Sequence, residues 1–139
     1  FRRVLFRSRI ENADAIAQKH MDSPTTRANS VSKSWYQFLV NDIEGAIDTT
    51  MEGMREWAEI VDFRNLSAFL LAGGRIDESY EALEIFLQNV VQPLDVHFYL
   101  CDLRDYKDRF PEETRNDYTV LLTHKLDSML TMIAPNGNA

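Results

Sequence analysis

WYQFLVNDIEGAIDTTMEGMREWAEIV, residues 35–61, decides the fold class. Its larger side chains fall at Trp35, Leu39, Ile43, Ala46/Ile47, Thr50/Met51, Met54, Trp57/Ala58 and Val61. Steps of three and four place all of them on one face of a helix, because an α-helix returns to the same face every 3.6 residues. The spacing predicts one helix of about 25 residues, with Ser32 or Ser34 able to cap its start. Gly45 and Gly53 lie close to the same face. Each costs about 1 kcal/mol in an exposed helix interior, so their expected use is to let a neighbouring helix approach closely.

Downstream, NLSAFLLA (65–72) predicts a short helix closed by Gly73-Gly74, since glycine supplies the left-handed conformation that ends helices. No Gly-Lys-hydroxyl run follows, so these glycines do not form a phosphate loop. Asp77 is placed to cap the next helix, which buries Tyr80, Leu83, Phe86/Leu87, Val90 and Val91. Gln92-Pro93 interrupts it, because proline lacks a donor and restricts its predecessor. Either the helix kinks there or a new one begins at Leu94 or Asp95. In VHFYLCDLRDYKDRF (96–110), Val96, Tyr99/Leu100, Leu103, Tyr106 and Phe110 keep helical spacing, although VHFYLC alone is also compatible with a buried strand. Pro111-Glu112-Glu113 suits a helix's first turn. Tyr118, Leu121/Leu122, Lys125/Leu126, Met129 and Ile133 then carry the last helix to Ala134-Pro135. The expected fold is all-α, an antiparallel helical bundle of four long helices plus one short helix over residues 35–134, with 135–139 as a tail.

Upstream, DSPTTRANSVSKS (22–34) has almost no large apolar residue, and residues 9–34 are expected to form a poorly ordered or weakly helical arm. FRRVLFRS (1–8) closely resembles the conceptual translation of a short-read sequencing adapter. That resemblance implies a metagenomic or other bulk assembly in which these residues are not native. Met21 is then the simplest candidate start, unless IENADAIAQK (10–19) belongs to a longer native protein.

A chain of 139 residues supports one sizeable core, and one domain is the starting expectation. Its formal charge is −7; residues 1–8 hold three arginines and no acid, so the rest carries −10. Such a domain has no evident electrostatic route to phosphate backbones or anionic lipid, and neither nucleic acid nor membrane is expected as a partner. Cys101 is the single cysteine, which excludes an intrachain disulfide and a four-thiolate metal site and fits a reducing, cytoplasmic setting. The apolar run LSAFLLA (66–72) is far too short to cross a bilayer.

The densest acidic pattern is Glu78, Glu81 and Glu84, with Glu56 and Glu59 on the first helix and Asp105 and Asp108 further on. Carboxylates at i and i+3 can share a divalent cation, and facing helices can complete an oxygen-only site for magnesium or manganese. Glu78-Ser-Tyr-Glu81 and Glu81-Ala-Leu-Glu84 are loosely similar to the E-x-x-E half of the all-helical nucleoside triphosphate pyrophosphohydrolases. The resemblance implies metal-dependent hydrolysis by Glu56, Glu59, Glu78, Glu81 and Asp105 or Asp108. The family's following E-x-x-D is absent; the pair Glu59 to Asp62 precedes these residues. The competing expectation is a solvated charged face.

His97 and His124 have Leu94 and Leu121 three residues before them, so neither forms the Glu-x-x-His of a di-iron bundle, and no H-E-x-x-H occurs. Cys101 and His97 can meet on one helical face, but a nucleophile also needs an orienting group and an oxyanion site. Cys101 is expected to be a small core residue. Tyr36 with Phe38, and Phe98 with Tyr99, give more aromatic positions than one face requires, a surplus able to cover a partner helix or second subunit. The leading expectation is therefore a helical protein-interaction or self-associating module, taking a protein partner or a second copy, with no catalytic residue or cofactor assigned. The alternative is the magnesium- or manganese-dependent enzyme.

Overall fold

The computed structural model describes residue 21 and residues 23–137, with side chains described up to Ile133. The adapter-like segment 1–8 and the arm through His20 lie outside the described residues. Among the described residues the chain is all-α, with helices α1 (Ser30–Leu39), α2 (Ile43–Gly53), α3 (Ile60–Ala72), α4 (Ile76–Asn89), α5 (Pro93–Asp105) and α6 (Glu112–Gly137), and a 3-10 turn at Lys107–Arg109. Two compact units divide after Asp62.

In the first unit, residues 35–61 do not form one helix. The chain turns at Asn41, which has φ 66°. There the Asn41 N–H donates to the Phe38 carbonyl (3.1 Å) and the Asp42 N–H to that of Gln37 (2.8 Å), the paired bonds of a Schellman C-cap. Asparagine tolerates this left-handed geometry better than other residues with a Cβ. The Asp42 carboxylate then accepts the Gly45 N–H at 3.1 Å and starts α2. Gly45 thus serves a cap: a Cβ there would overlap the Asp42 carboxylate. Residues 54–59 leave helical geometry before α3 begins.

The first helix starts at Ser30, so part of the expected arm belongs to it. The preceding residues are held by their own polar groups. Asn29 accepts the Thr26 N–H (2.8 Å) and donates to the Pro24 carbonyl (3.1 Å). Lys33 reaches the Ser23 carbonyl and the Thr25 hydroxyl. Arg27 goes furthest: Nη1 lies 2.7 Å from Asp62 Oδ2 and 3.3 Å from the Gly53 carbonyl, and Nη2 is 3.2 Å from Glu59. The Asp62 bond raises the Arg27 pKa above its ordinary value against the opposing effect of burial. Asp62 also accepts the Glu59 N–H at 2.7 Å, closing the first turn of α3.

Gly53 permits the close approach expected of it, since a Cβ there would overlap Ser30 at the start of α1. Gly53→Ala is expected to destabilise the first unit by about 1–3 kcal/mol through overpacking. Chemical denaturation followed by tryptophan fluorescence measures this, because Trp35 and Trp57 both lie in that unit.

In the second unit the local stop signals behave as the sequence predicts. Gly74 has φ 74°; its N–H donates to Leu71 and the Arg75 N–H to Leu70, another Schellman end. Arg75, not Asp77, is the N-cap of α4, and Asp77 lies in the first turn, where its charge favours the helix's positive end. Val90 is extended and Pro93 opens α5, so the interruption produces a new helix; VHFYLC lies within it, not in a strand. The last helix continues past Ala134 to Gly137.

Buried Phe69, Leu71, Leu83, Phe86, Val96, Leu103 and Leu122 supply the apolar interior of this unit. A hydroxyl chain runs through it. Ser67 Oγ is 2.7 Å from the Tyr99 OH, and Ser79 Oγ donates to the Ser67 carbonyl (2.7 Å) and lies 2.6 Å from the Tyr118 OH. One residue each from α3, α4, α5 and α6 is thereby satisfied inside the core, as buried polar groups require. The two tyrosine rings meet edge to face at 6.4 Å. No helix among the described residues is long and apolar enough to cross a membrane.

Candidate functional site

The four aromatic positions expected at an interface separate into two kinds. Phe38 and Tyr99 are 0% exposed. Phe38 packs edge-on against Trp35 at 5.3 Å, and Tyr99 has its hydroxyl in the buried chain. Both are interior residues, because the apolar faces of their helices turn inward at those positions. Tyr36 is half-buried. Phe98 remains 42% exposed, with the Arg64 guanidinium 5.7 Å from its ring centroid and Arg64 Nη1 3.4 Å from Asp95.

The candidate metal ligands lie in polar surroundings of their own. In the first unit, Glu56 is exposed in the 54–59 connection and Glu59 pairs with Arg27. In the second unit, Arg75 grips Glu78 through two bonds of 2.7 and 2.9 Å. That pairing lowers the Glu78 pKa from its ordinary value. Glu81, Glu84 and Asp108 are exposed, and Asp105 lies 3.3 Å from Arg104. Among the described residues no three His, Cys, Asp or Glu side chains gather in a way that holds a metal ion. Helix α4 instead presents a solvated acidic face. Sequence spacing brings carboxylates to one face of a helix, but cannot bring a second helix's carboxylates to meet them.

The Cys101 Sγ and His97 Nε2 are 3.5 Å apart, and Cys101 is buried as expected. His124 is exposed.

An unassigned apolar surface lies on α6. At about 1.5 Å per residue its 26 residues span roughly 39 Å, against roughly 20 Å for the 13 residues of α5 that packs along it. Tyr118 and Leu122 are buried, and no residue from 123 to 133 is. Yet the apolar stripe continues at the same spacing through Leu126, Met129, Leu130 and Ile133, with Leu130 48% and Ile133 56% exposed. Helical spacing puts Leu126, Met129 and Ile133 on the same stripe as Tyr118 and Leu122 and so in the expected core; the mismatch in helix length leaves them outside it. No family model matches the chain, and no curated protein or solved structure is significantly similar to it.

Proposed function

We propose that this chain is a self-associating helical module whose contact is the second half of α6, and whose occupant is a second copy of the chain. The observation that supports this is the apolar stripe of Leu126, Met129, Leu130 and Ile133, which continues a core face beyond the core. An exposed contiguous apolar face is worth burying, at about 25 cal/mol per Å² of apolar surface.

Charge favours this place over others. Two copies of an acidic chain repel. Residues 118–133, however, carry one lysine and one aspartate, Lys125 and Asp127, against −7 for the chain. Contact through this neutral segment keeps the acidic surfaces apart. An antiparallel two-fold crossing between Met129 and Leu130 sets Leu126 opposite Ile133 of the second copy, twice, in a self-complementary apolar contact. The single free thiol suits a reducing compartment, and we place the module in the cytoplasm.

One helix face is smaller than the roughly 800 Å² per partner of a standard stable interface, so a dissociation constant on the order of 10 µM is expected. Sedimentation velocity over a range of concentrations tests this. The chain should shift from monomer to dimer, and Leu130→Glu with Ile133→Glu should remain monomeric with unchanged helical circular dichroism. Raising salt from about 20 to 200 mM should tighten the dimer by screening acidic repulsion. A monomer at all concentrations up to about fifty times that dissociation constant, or a variant that dimerises as well as the wild type, overturns the proposal.

A further inference from the structure

A cavity of about 410 Å³ opens between α5, the 3-10 turn and α6, all within the second unit. Its size falls in the lower range of small-molecule sites, roughly 300–1,000 Å³. Three cationic residues, Arg104, Lys107 and Arg115, line it, and Leu100 and Leu103 contribute an apolar wall. This concentration of positive charge stands out on an acidic chain.

Lys107 and Arg115 differ in their pairing from the arginines of this chain that lie against carboxylates. Arg27, Arg64 and Arg75 each lie against a carboxylate. Arg104 has one neighbour of this kind, Asp105, at 3.3 Å. Lys107 and Arg115 have no carboxylate partner among the described residues. Arg115 is instead fixed through Nη1, which donates to the Lys107 backbone carbonyl at 2.8 Å. That bond ties the second turn of α6 to the 3-10 turn and leaves the rest of the guanidinium fork able to donate. A preset guanidinium fork in a cavity that a lysine also lines suits planar or tetrahedral oxyanions.

We infer that this cavity is a binding site for a small amphipathic oxyanion, a carboxylate or phosphate monoester on a short hydrocarbon or aryl body. Arg115 and Lys107 take the oxyanion, Arg104 adds charge at the rim, and Leu100 and Leu103 cover the apolar part. Thr119 offers a hydroxyl from α6, and the Cys101–His97 pair lies in the same wall. The site is separate from the second half of α6, so it stands or falls independently of self-association.

The test is a heteronuclear NMR titration of the full chain with octanoate, octyl phosphate, octanol and inorganic phosphate. The two amphipathic anions should give saturable shifts at residues 97–107 and 115–119, with submillimolar dissociation constants for at least one of them. Their relative strength tells a carboxylate site from a phosphate site. Octanol and inorganic phosphate should each bind at least about tenfold more weakly, since each lacks half of the recognised chemistry. Arg115→Gln should weaken binding by about tenfold or more, and Lys107→Gln, whose side chain is exposed, by several-fold. Because Cys101 is the single cysteine, slower thiol alkylation on adding ligand locates the occupant independently. Absence of saturable shifts up to about 10 mM of either amphipathic anion overturns the inference. So does octanol binding as tightly as octanoate, a response confined to residues 126–133, or full binding retained by the Lys107→Gln variant together with unchanged Cys101 alkylation.

Discussion

Asp62→Ala is expected to remove about 3–5 kcal/mol from the stability of the first unit, enough to leave it largely unfolded near physiological temperature. Asp62 is 2% exposed and holds Arg27 at 2.7 Å, with Arg27 itself 12% exposed. Removing the carboxylate leaves a guanidinium in a site built to neutralise it. Its remaining acidic partner is Glu59, which is more than half exposed and correspondingly screened. The same substitution strips the acceptor from the Glu59 N–H at the start of α3. Asp62→Asn keeps an oxygen for that N–H while losing the charge, so its cost should be smaller. Equilibrium denaturation followed through Trp35 and Trp57 measures both variants. A change below about 0.5 kcal/mol for Asp62→Ala, the size typical of a surface substitution, would show that the pair contributes nothing.

The second unit is expected to lose stability as pH rises from about 10 towards 12. Burial pushes the Tyr118 pKa up to about 12, and raises that of Tyr99 well above its ordinary value. In the unfolded chain both phenols ionise near 10. The stabilisation is fully present below the unfolded pKa. Above it the unfolded state sheds protons that the folded state retains, so the stabilisation is lost until pH passes the folded pKa. Tyrosinate absorbance should therefore lag behind that of exposed phenols and appear together with the loss of helical circular dichroism. Tyr118→Phe should cost about 1–3 kcal/mol at neutral pH, because the Ser79 hydroxyl loses its 2.6 Å partner. At high pH that deficit should shrink, since one of the two titrating groups is gone. Phenols that all titrate near 10 while the helices stay intact would contradict the placement of this hydroxyl chain.

Some features were readable from local chemistry. Gly73-Gly74 ends α3 and Pro93 opens α5 because each conformation is dictated by the residue's own covalent structure. The break at Asn41 escaped the periodic reading for a specific reason. Leu39 and Ile43 lie four apart across it, so the helical phase is the same as in an unbroken helix. The signal was Asn41-Asp42 itself, a left-handed residue followed by a capping carboxylate. Arg27 offered no such signal. In a run of serine and threonine it has the composition of a linker, and its role depends on Asp62, 35 positions away in sequence.

The same division holds for the candidate sites. Spacing placed Glu78, Glu81 and Glu84 on one helix, and it also set Phe38 and Tyr99 beside other aromatics. Whether such groups meet a partner, face water or enter the core depends on the neighbouring helices. Sequence alone determined the helical class, the acidic balance, the single thiol and the glycine and proline stops, because composition and intrinsic backbone preference are local properties. Only the tertiary structure decided that Arg27 pairs with the buried Asp62, that four hydroxyl residues meet in one core and that α6 outruns α5. Each of those depends on which elements pack together and how far they extend beside one another, and side-chain periodicity along one helix carries no information about the length of its neighbour.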